Sequence, residues 1–246
     1  MIDNNLYQKY VDNFCDDVWN VLNQVDYNQL DKEQKEIVNL ILDEAIKRID
    51  FNIKLIFSLL EKNGFKYINY GDLNSFNCQY ALKKEKDFQF DINVVVTNTN
   101  KKFPLLFTKF VNFFNVVDFR GDFTFNVDFL LDSLFIESFD SLSSLSYLTF
   151  ELDRDGELVD GLMFSPDQFV KENQSGDIGV CIELSEDLLV DNFVLNLSDS
   201  LLFTFREYLQ FSFEWACCLN LYWSTKDEQE DFNSIITEVR EKLLQF

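Results

Sequence analysis

The chain of 246 residues carries 43 acidic and 21 basic side chains, so its formal net charge at pH 7 is −22. Hydrophobic residues make up 47% of it, enough to bury a core, which excludes a disordered acidic tail. The charge opposes binding to nucleic-acid phosphates and anionic membrane surfaces, and the complete lack of histidine excludes Ser-His-Asp, Cys-His and histidine–metal sites.

The cysteine pattern and the chain start indicate a reducing compartment. The five cysteines are odd in number and scattered, and none forms a C-x-x-C pair, so we expect reduced thiols. The first residues lack the basic region and apolar run of a signal peptide. The most apolar stretch, residues 201–221, contains Arg206, Glu207 and Glu214 and is a poor membrane span. We therefore expect a cytoplasmic protein with no membrane span and no bound cofactor.

Helical periodicity dominates the first third of the chain. One stripe of apolar residues at three- and four-residue steps predicts a first helix: Leu6, Tyr10, Phe14, Val18, Leu22 and Val25. A second, longer helix follows a turn at residues 26–31, with Asp31 as N-cap, Gln34 at the capping-box position and Gly64 as the stop. Its stripe is Val38, Ile41, Ala45, Ile49, Ile53, Ile56 and Leu60. Together they predict a helical hairpin.

The middle of the chain changes to the period of strands. Apolar runs predict strands at residues 65–70 and 88–97, with a polar loop at 71–87 between them. Pro104 suits the first position of a helix that runs to about residue 115. Residues 116–118 and 129–137 are expected to be extended.

A strong hairpin signal stands at Asp155-Gly156, because a tight turn with positive φ suits Asp-Gly between two apolar runs, residues 147–152 and 157–164. The remaining expected elements are a short helix at 166–173, a strand at 178–184 and helices at 198–221 and 226–246. This order predicts a single α+β domain over residues 1–246. An N-terminal helical hairpin (1–64) would pack on a mostly antiparallel central sheet and C-terminal helices.

Two acidic groups are candidates for chemistry or binding. Asp153, Asp155, Glu157 and Asp160 surround the hairpin turn, but a calcium loop would need glycine where Leu158 stands. Glu183, Glu186, Asp187 and Asp191 follow the strand at 178–184. A magnesium site or a glycosidase pair would require two or more of these carboxylates to converge in a cleft. An exposed, solvated turn is the simpler interpretation of each group.

The run Val117-Asp118-Phe119-Arg120-Gly121, just past an apolar helix, resembles a motif of uncharacterised bacterial proteins that are loosely related to SUKH-type toxin-immunity proteins. Further strings stand in the family order: Phe164-Ser165-Pro166-Asp167, Asn173-Gln174-Ser175-Gly176-Asp177 and Phe203-Thr204-Phe205-Arg206-Glu207. The resemblance covers roughly residues 31–246. The chain departs from the family at Trp215-Ala216-Cys217-Cys218, where a glycine-rich turn is expected. Arg120 itself has a structural interpretation, as a partner of Asp118 or Asp122.

The resemblance implies an immunity protein that binds a cognate bacterial toxin, and a strongly acidic chain would be steered onto a basic toxin such as a nuclease. We predict that the partner contacts Asp153, Asp155, Glu157, Asp160, Glu186, Asp187 and Asp191, on two segments expected to be exposed. One alternative is an acidic nucleic-acid mimic that inhibits DNA-binding proteins. Another is an enzyme that uses carboxylates and a divalent metal. We expect no enzymatic activity and no direct contact with nucleic acid or membrane.

Overall fold

The computed structural model describes residues 2–63, 79–81, 101–114, 116–118, 135–136, 149–154, 157–165, 180–195, 203–217 and 226–246. The chain begins with two short helices, α1 (Asn4–Val11) and α2 (Cys15–Leu22), so the prediction of one continuous first helix is wrong. Asn13 between them has a φ of 68°, a left-handed conformation that asparagine tolerates better than most residues. The break moves Phe14 out of the apolar stripe and leaves it 57% exposed.

The long helix α3 (Lys32–Lys62) confirms the second helical prediction. Its start is a reciprocal capping box, because Gln34 N–H donates to Asp31 Oδ1 at 2.9 Å and Asp31 N–H donates to Gln34 Oε1 at 3.1 Å. Every residue of the predicted apolar stripe from Val38 to Leu60 is buried. A 3₁₀ turn (Tyr27–Gln29) connects α2 to α3. The expected stop at Gly64 lies outside the described residues.

A small antiparallel sheet has the order β1 (Gln79–Ala81), β2 (Val116–Asp118) and β3 (Phe135–Ile136). Strand β1 falls inside the segment expected to be a loop, so that expectation is wrong for these three residues; the pairing with β2 supplies the backbone partners. The predicted strands at 65–70 and 88–97, and Arg120, lie outside the described residues. Helix α4 (Leu105–Phe113) precedes β2, with Pro104 as its N-cap.

The main sheet is an antiparallel meander in sequence order. Its strands are β4 (Thr149–Arg154), β5 (Glu157–Ser165), β6 (Val180–Glu183), β7 (Phe193–Leu195) and β8 (Phe203–Thr204). The predicted hairpin is confirmed, because β4 and β5 pair from Thr149↔Leu162 to Arg154↔Glu157. Asp155 and Gly156, and the helix expected at 166–173, lie outside the described residues.

Two helices follow the sheet, α5 (Phe205–Glu214) and α6 (Lys226–Lys242). The predicted helix at 198–221 is too long at both ends. A capping box between Thr204 and Glu207 fixes its start directly after β8. Its end is fixed by Ala216 and Cys217, whose φ angles of 53° and 62° lie in the left-handed region.

The α+β class expected from the sequence is confirmed. One continuous core joins the N-terminal helices to α4, the main sheet, α5 and α6. Phe107 and Phe110 of α4 both meet Phe205 of α5 edge to face, with ring centroids 5.2 and 5.4 Å apart. Phe246, after α6, is 1% exposed and lies against Phe213. Across the described ranges, no helix combines the length and apolar character needed to cross a membrane.

Candidate partner-binding surface

The connection between β6 and β7, residues 184–192, is named here the β6–β7 loop. It is held to two distant parts of the chain by main-chain hydrogen bonds. Lys102 N–H donates to Ser185 O at 2.6 Å, and Ser185 N–H donates back to Lys102 O at 3.3 Å. Tyr27 N–H, in the 3₁₀ turn, donates to Leu188 O at 2.9 Å. The loop is therefore clamped between the segment before α4 and the segment before α3.

The same loop supplies acceptors to the first turn of α4. Leu105 N–H donates to Leu189 O at 3.0 Å, and Leu106 N–H donates to Val190 O at 2.9 Å. The first N–H groups of a helix have no partner within the helix, and Pro104 has no side chain that could cap them. Helix α4 thus depends on the backbone of the β6–β7 loop, and the loop is fixed by the buried helix.

Asp191, near the end of the loop, supplies an acceptor to the first turn of α5. It is 3% exposed and accepts hydrogen bonds from Asn192 N–H at 2.9 Å and Arg206 N–H at 3.2 Å. Phe205 N–H donates to Asn192 O at 2.9 Å. Burial raises the pKa of the Asp191 carboxyl to about 6, although the hydrogen bonds from Arg206, Thr204 and Asn192 favour the charged form.

The structure divides the predicted contact residues of this loop into two kinds. Glu186 and Asp187 are exposed, as expected. The expected exposure of Asp191 is wrong, because its carboxylate is turned inward to the start of α5. Asp191 therefore has a place in the interior, where it positions the loop, and is not part of the accessible surface.

Asp160, from the other predicted acidic segment, lies close to the same loop. Leu184 N–H donates to Asp160 O at 2.8 Å, and the Asp160 carboxylate pairs with Lys101 Nζ at 3.1 Å. Lys102 Nζ donates to Glu186 O at 2.8 Å. Residues 101–102 thus join Asp160 to the loop, and Lys101 offsets part of the charge of Asp160.

The remaining predicted contact residues belong to the hairpin. Asp153 is on β4 and Glu157 is on β5, where Asp153 pairs in register with Leu158. Asp155 lies outside the described residues. The structure therefore brings Asp160, Glu186 and Asp187 to one region. It places Asp153 and Glu157 on their strands.

Arg206 connects the loop to the N-terminal helices. Its backbone N–H contacts Asp191, while its guanidinium donates to Asp16 Oδ1 at 2.6 Å and to Phe246 O at 3.3 Å. The guanidinium also stands over the ring of Trp19, 5.9 Å from the centroid. Arg206 therefore joins the end of the β6–β7 loop to the start of α2.

Sequence reasoning missed the roles of Lys101, Lys102 and Arg206. Each acts on a residue distant in the chain, and no local spacing marks such a pair. In the described part of the chain, no three His, Cys, Asp or Glu side chains are placed to hold a metal ion. The region offers exposed carboxylates on a firmly held backbone, which suits recognition of a cationic partner.

No family model, curated protein or solved structure matches this chain at a significant level. The resemblance to proteins related to SUKH-type immunity proteins remains a prediction.

Proposed function

We propose that this chain is an immunity protein, which binds a basic toxin and blocks it by occupying its surface. The observation that carries the proposal is the β6–β7 loop, where exposed Glu186 and Asp187 stand on a backbone clamped to two other segments. A loop that is already ordered loses little conformational entropy when a partner binds. The net charge of −22 adds attraction toward a cationic surface over a Debye length.

Inhibition by binding requires no reacting group. A chain without histidine lacks the usual acid–base catalyst at neutral pH, which is no handicap for an inhibitor. Charged residues at the rim of an interface mainly accelerate association, while desolvated contacts near its centre determine the lifetime of the complex. Glu186 and Asp187 are rim residues in this proposal, because their side chains are exposed while Glu186 O accepts from Lys102 Nζ and Asp187 N–H donates to Ser185 Oγ.

The test uses the basic proteins encoded next to this gene. Each is purified and titrated against the full chain by calorimetry at about 0.15 M and about 0.5 M salt. We expect one of them to bind selectively, to keep measurable affinity at the higher salt, and to lose its toxicity to bacterial cells when the two are co-expressed. Binding of several unrelated DNA-binding proteins that vanishes at the higher salt would instead favour the nucleic-acid mimic. Failure of all neighbouring products to bind would refute the proposal.

A further inference from the structure

The turn between α1 and α2 exposes an unusual amount of apolar surface. Phe14 is 57% exposed and Val11 is 40% exposed. Single exposed apolar side chains are ordinary, but contiguous groups of them mark interaction sites. Residues 11–14 are called here the α1–α2 corner.

Arg48 joins the backbone of this corner to the C-terminal segment, and exposed apolar side chains stand near both of its contacts. The Arg48 guanidinium donates to Val11 O at 3.4 Å and to Gln245 O at 2.9 Å, so both backbone segments meet at one side chain. Leu244, next to Gln245, is 39% exposed, and Phe51, about one helical turn after Arg48 on α3, is 46% exposed.

The corner is held in place from inside the protein. Arg48 Nη2 donates to Tyr10 O at 3.2 Å, and Nη1 donates to Asn13 Oδ1 at 3.0 Å, which fixes the residue with positive φ. Arg48 itself is 7% exposed. Phe14 is therefore presented on a turn that Arg48 holds in place, and aromatic side chains, Phe included, are enriched at protein interfaces.

The charged residues beside the corner indicate which kind of partner would bind there. Asp12, Asp16 and Asp17 stand within three residues of Phe14, and Asp16 pairs with Arg206 at 2.6 Å. Asp12 and Asp17 are both exposed. A second copy of this chain would also carry a net charge of −22 and would be repelled. A basic surface with an apolar pocket would be attracted.

The corner is also linked through Arg206 to the buried end of the β6–β7 loop. Arg206 contacts Asp191 through its backbone and Asp16, two residues after Phe14, through its guanidinium. We infer that the α1–α2 corner is the apolar anchor of the partner interface, with Phe14 inserted into a pocket of the basic protein; this inference rests on the proposed function.

The test compares Phe14→Ala with Phe113→Ala, a substitution of a 43%-exposed phenylalanine at the end of α4. The probe is the basic neighbouring gene product that binds the unmodified chain. We expect Phe14→Ala to weaken binding about 30-fold or more, mainly through faster dissociation, and Phe113→Ala to change it less than about threefold. Asp12→Asn with Asp17→Asn should slow association about threefold or more and leave dissociation nearly unchanged.

A photo-crosslinking phenylalanine analogue at position 14 gives a readout that does not depend on truncation. It should crosslink to the partner, and the same analogue at position 113 should not. Binding that Phe14→Ala leaves intact overturns this inference alone, whereas no binding by the unmodified chain overturns the proposed function and this inference with it. Sedimentation that shows a dimer dissociated by Phe14→Ala also overturns it, since a second copy would then cover the corner.

Discussion

The α1–α2 corner and the β6–β7 loop are two irregular segments that the protein holds rigid by opposite means. At the corner, side chains do the holding: Arg48 reaches Tyr10 O, Asn13 Oδ1 and Gln245 O from the neighbouring helix. At the loop, the backbone does most of it, through hydrogen bonds with the segments before α3 and α4.

The difference determines which positions can vary. Where one side chain donates to several segments of the chain, its loss removes all of these hydrogen bonds at once. Where backbone groups pair with each other, the outward side chains are free to carry charge. Glu186 and Asp187 can therefore be devoted to recognition, whereas Arg48 is fixed by the fold.

The largest expected effect is that of Arg48→Met, which keeps the apolar stem and removes the guanidinium. It removes the hydrogen bonds to Tyr10 O, Asn13 Oδ1 and Gln245 O together, so we expect a loss of about 3–5 kcal/mol in the free energy of unfolding. Urea unfolding measures this. The matched control is Lys47→Met, since Lys47 is 72% exposed and pairs with the same Glu44. A loss below about 1 kcal/mol for Arg48→Met would show that the corner has other supports.

A second prediction concerns Asp191, whose buried carboxylate accepts a hydrogen bond from a backbone N–H in the first turn of α5. Burial raises its pKa from an ordinary value of 3.8 to about 6 in the folded chain, so folding favours the protonated form. The stabilisation is complete below pH ~3.8 and is lost as the pH rises through about 6. The upward shift in the pKa of Asp191 corresponds to a change of about 3 kcal/mol in the free energy of unfolding.

The measurement is the unfolding free energy of the native chain and of Asp191→Asn between pH 4 and 7. Asparagine keeps an oxygen acceptor for Arg206 N–H and cannot ionise. The difference between the two curves isolates Asp191 from the other carboxylates, and the native chain should lose stability relative to the variant as pH rises. Parallel curves would mean that Asp191 is as easily ionised in the folded chain as in the unfolded one.

Asn52 gives a second test of side-chain support near the corner, because it both donates to and accepts from the backbone of Leu244. Its Nδ2 donates to Leu244 O at 2.8 Å, and its Oδ1 accepts from Leu244 N–H at 2.9 Å. Asn52 is fully buried, so Asn52→Ala should cost about 2 kcal/mol in urea unfolding. Asn63→Ala, at an exposed site, should cost less than about 1 kcal/mol. Equal costs would contradict a special role for residue 52.

The sequence predicted those elements whose signals are local. Helix α3 has a capping box and an unbroken apolar stripe, and the β4–β5 hairpin has Asp-Gly between two apolar runs; both predictions are confirmed. The break at Asn13 was missed because the apolar spacing continues across it, with Phe14 and Cys15 both apolar. Periodicity alone does not distinguish a helix from two helices joined by a corner.

The anchoring residues were partly visible in the sequence. Arg48 follows Ile41 by seven residues and Asn52 follows Ala45 by seven, so both polar residues stand on the buried face of α3. Such positions mark buried hydrogen-bonding groups, but not their partners, which lie near residues 10 and 244. The burial of Asp191 could not be predicted, because it depends on the start of α5, 15 residues away.

The smallest expected effect is that of the double change Glu186→Gln and Asp187→Asn. Both side chains are exposed, and the loop is held through Ser185 O, Leu188 O and the carbonyls that follow. The unfolding free energy should therefore change by less than about 0.5 kcal/mol, and amide exchange of Leu105 and Leu106, which donate to the loop, should stay equally slow. Loss of more than about 1 kcal/mol, or faster exchange at α4, would show that the charged tip also supports the fold. Unchanged stability together with slower association with a basic partner would assign these two carboxylates to recognition alone, because rim charges act on the encounter and not on the folded state.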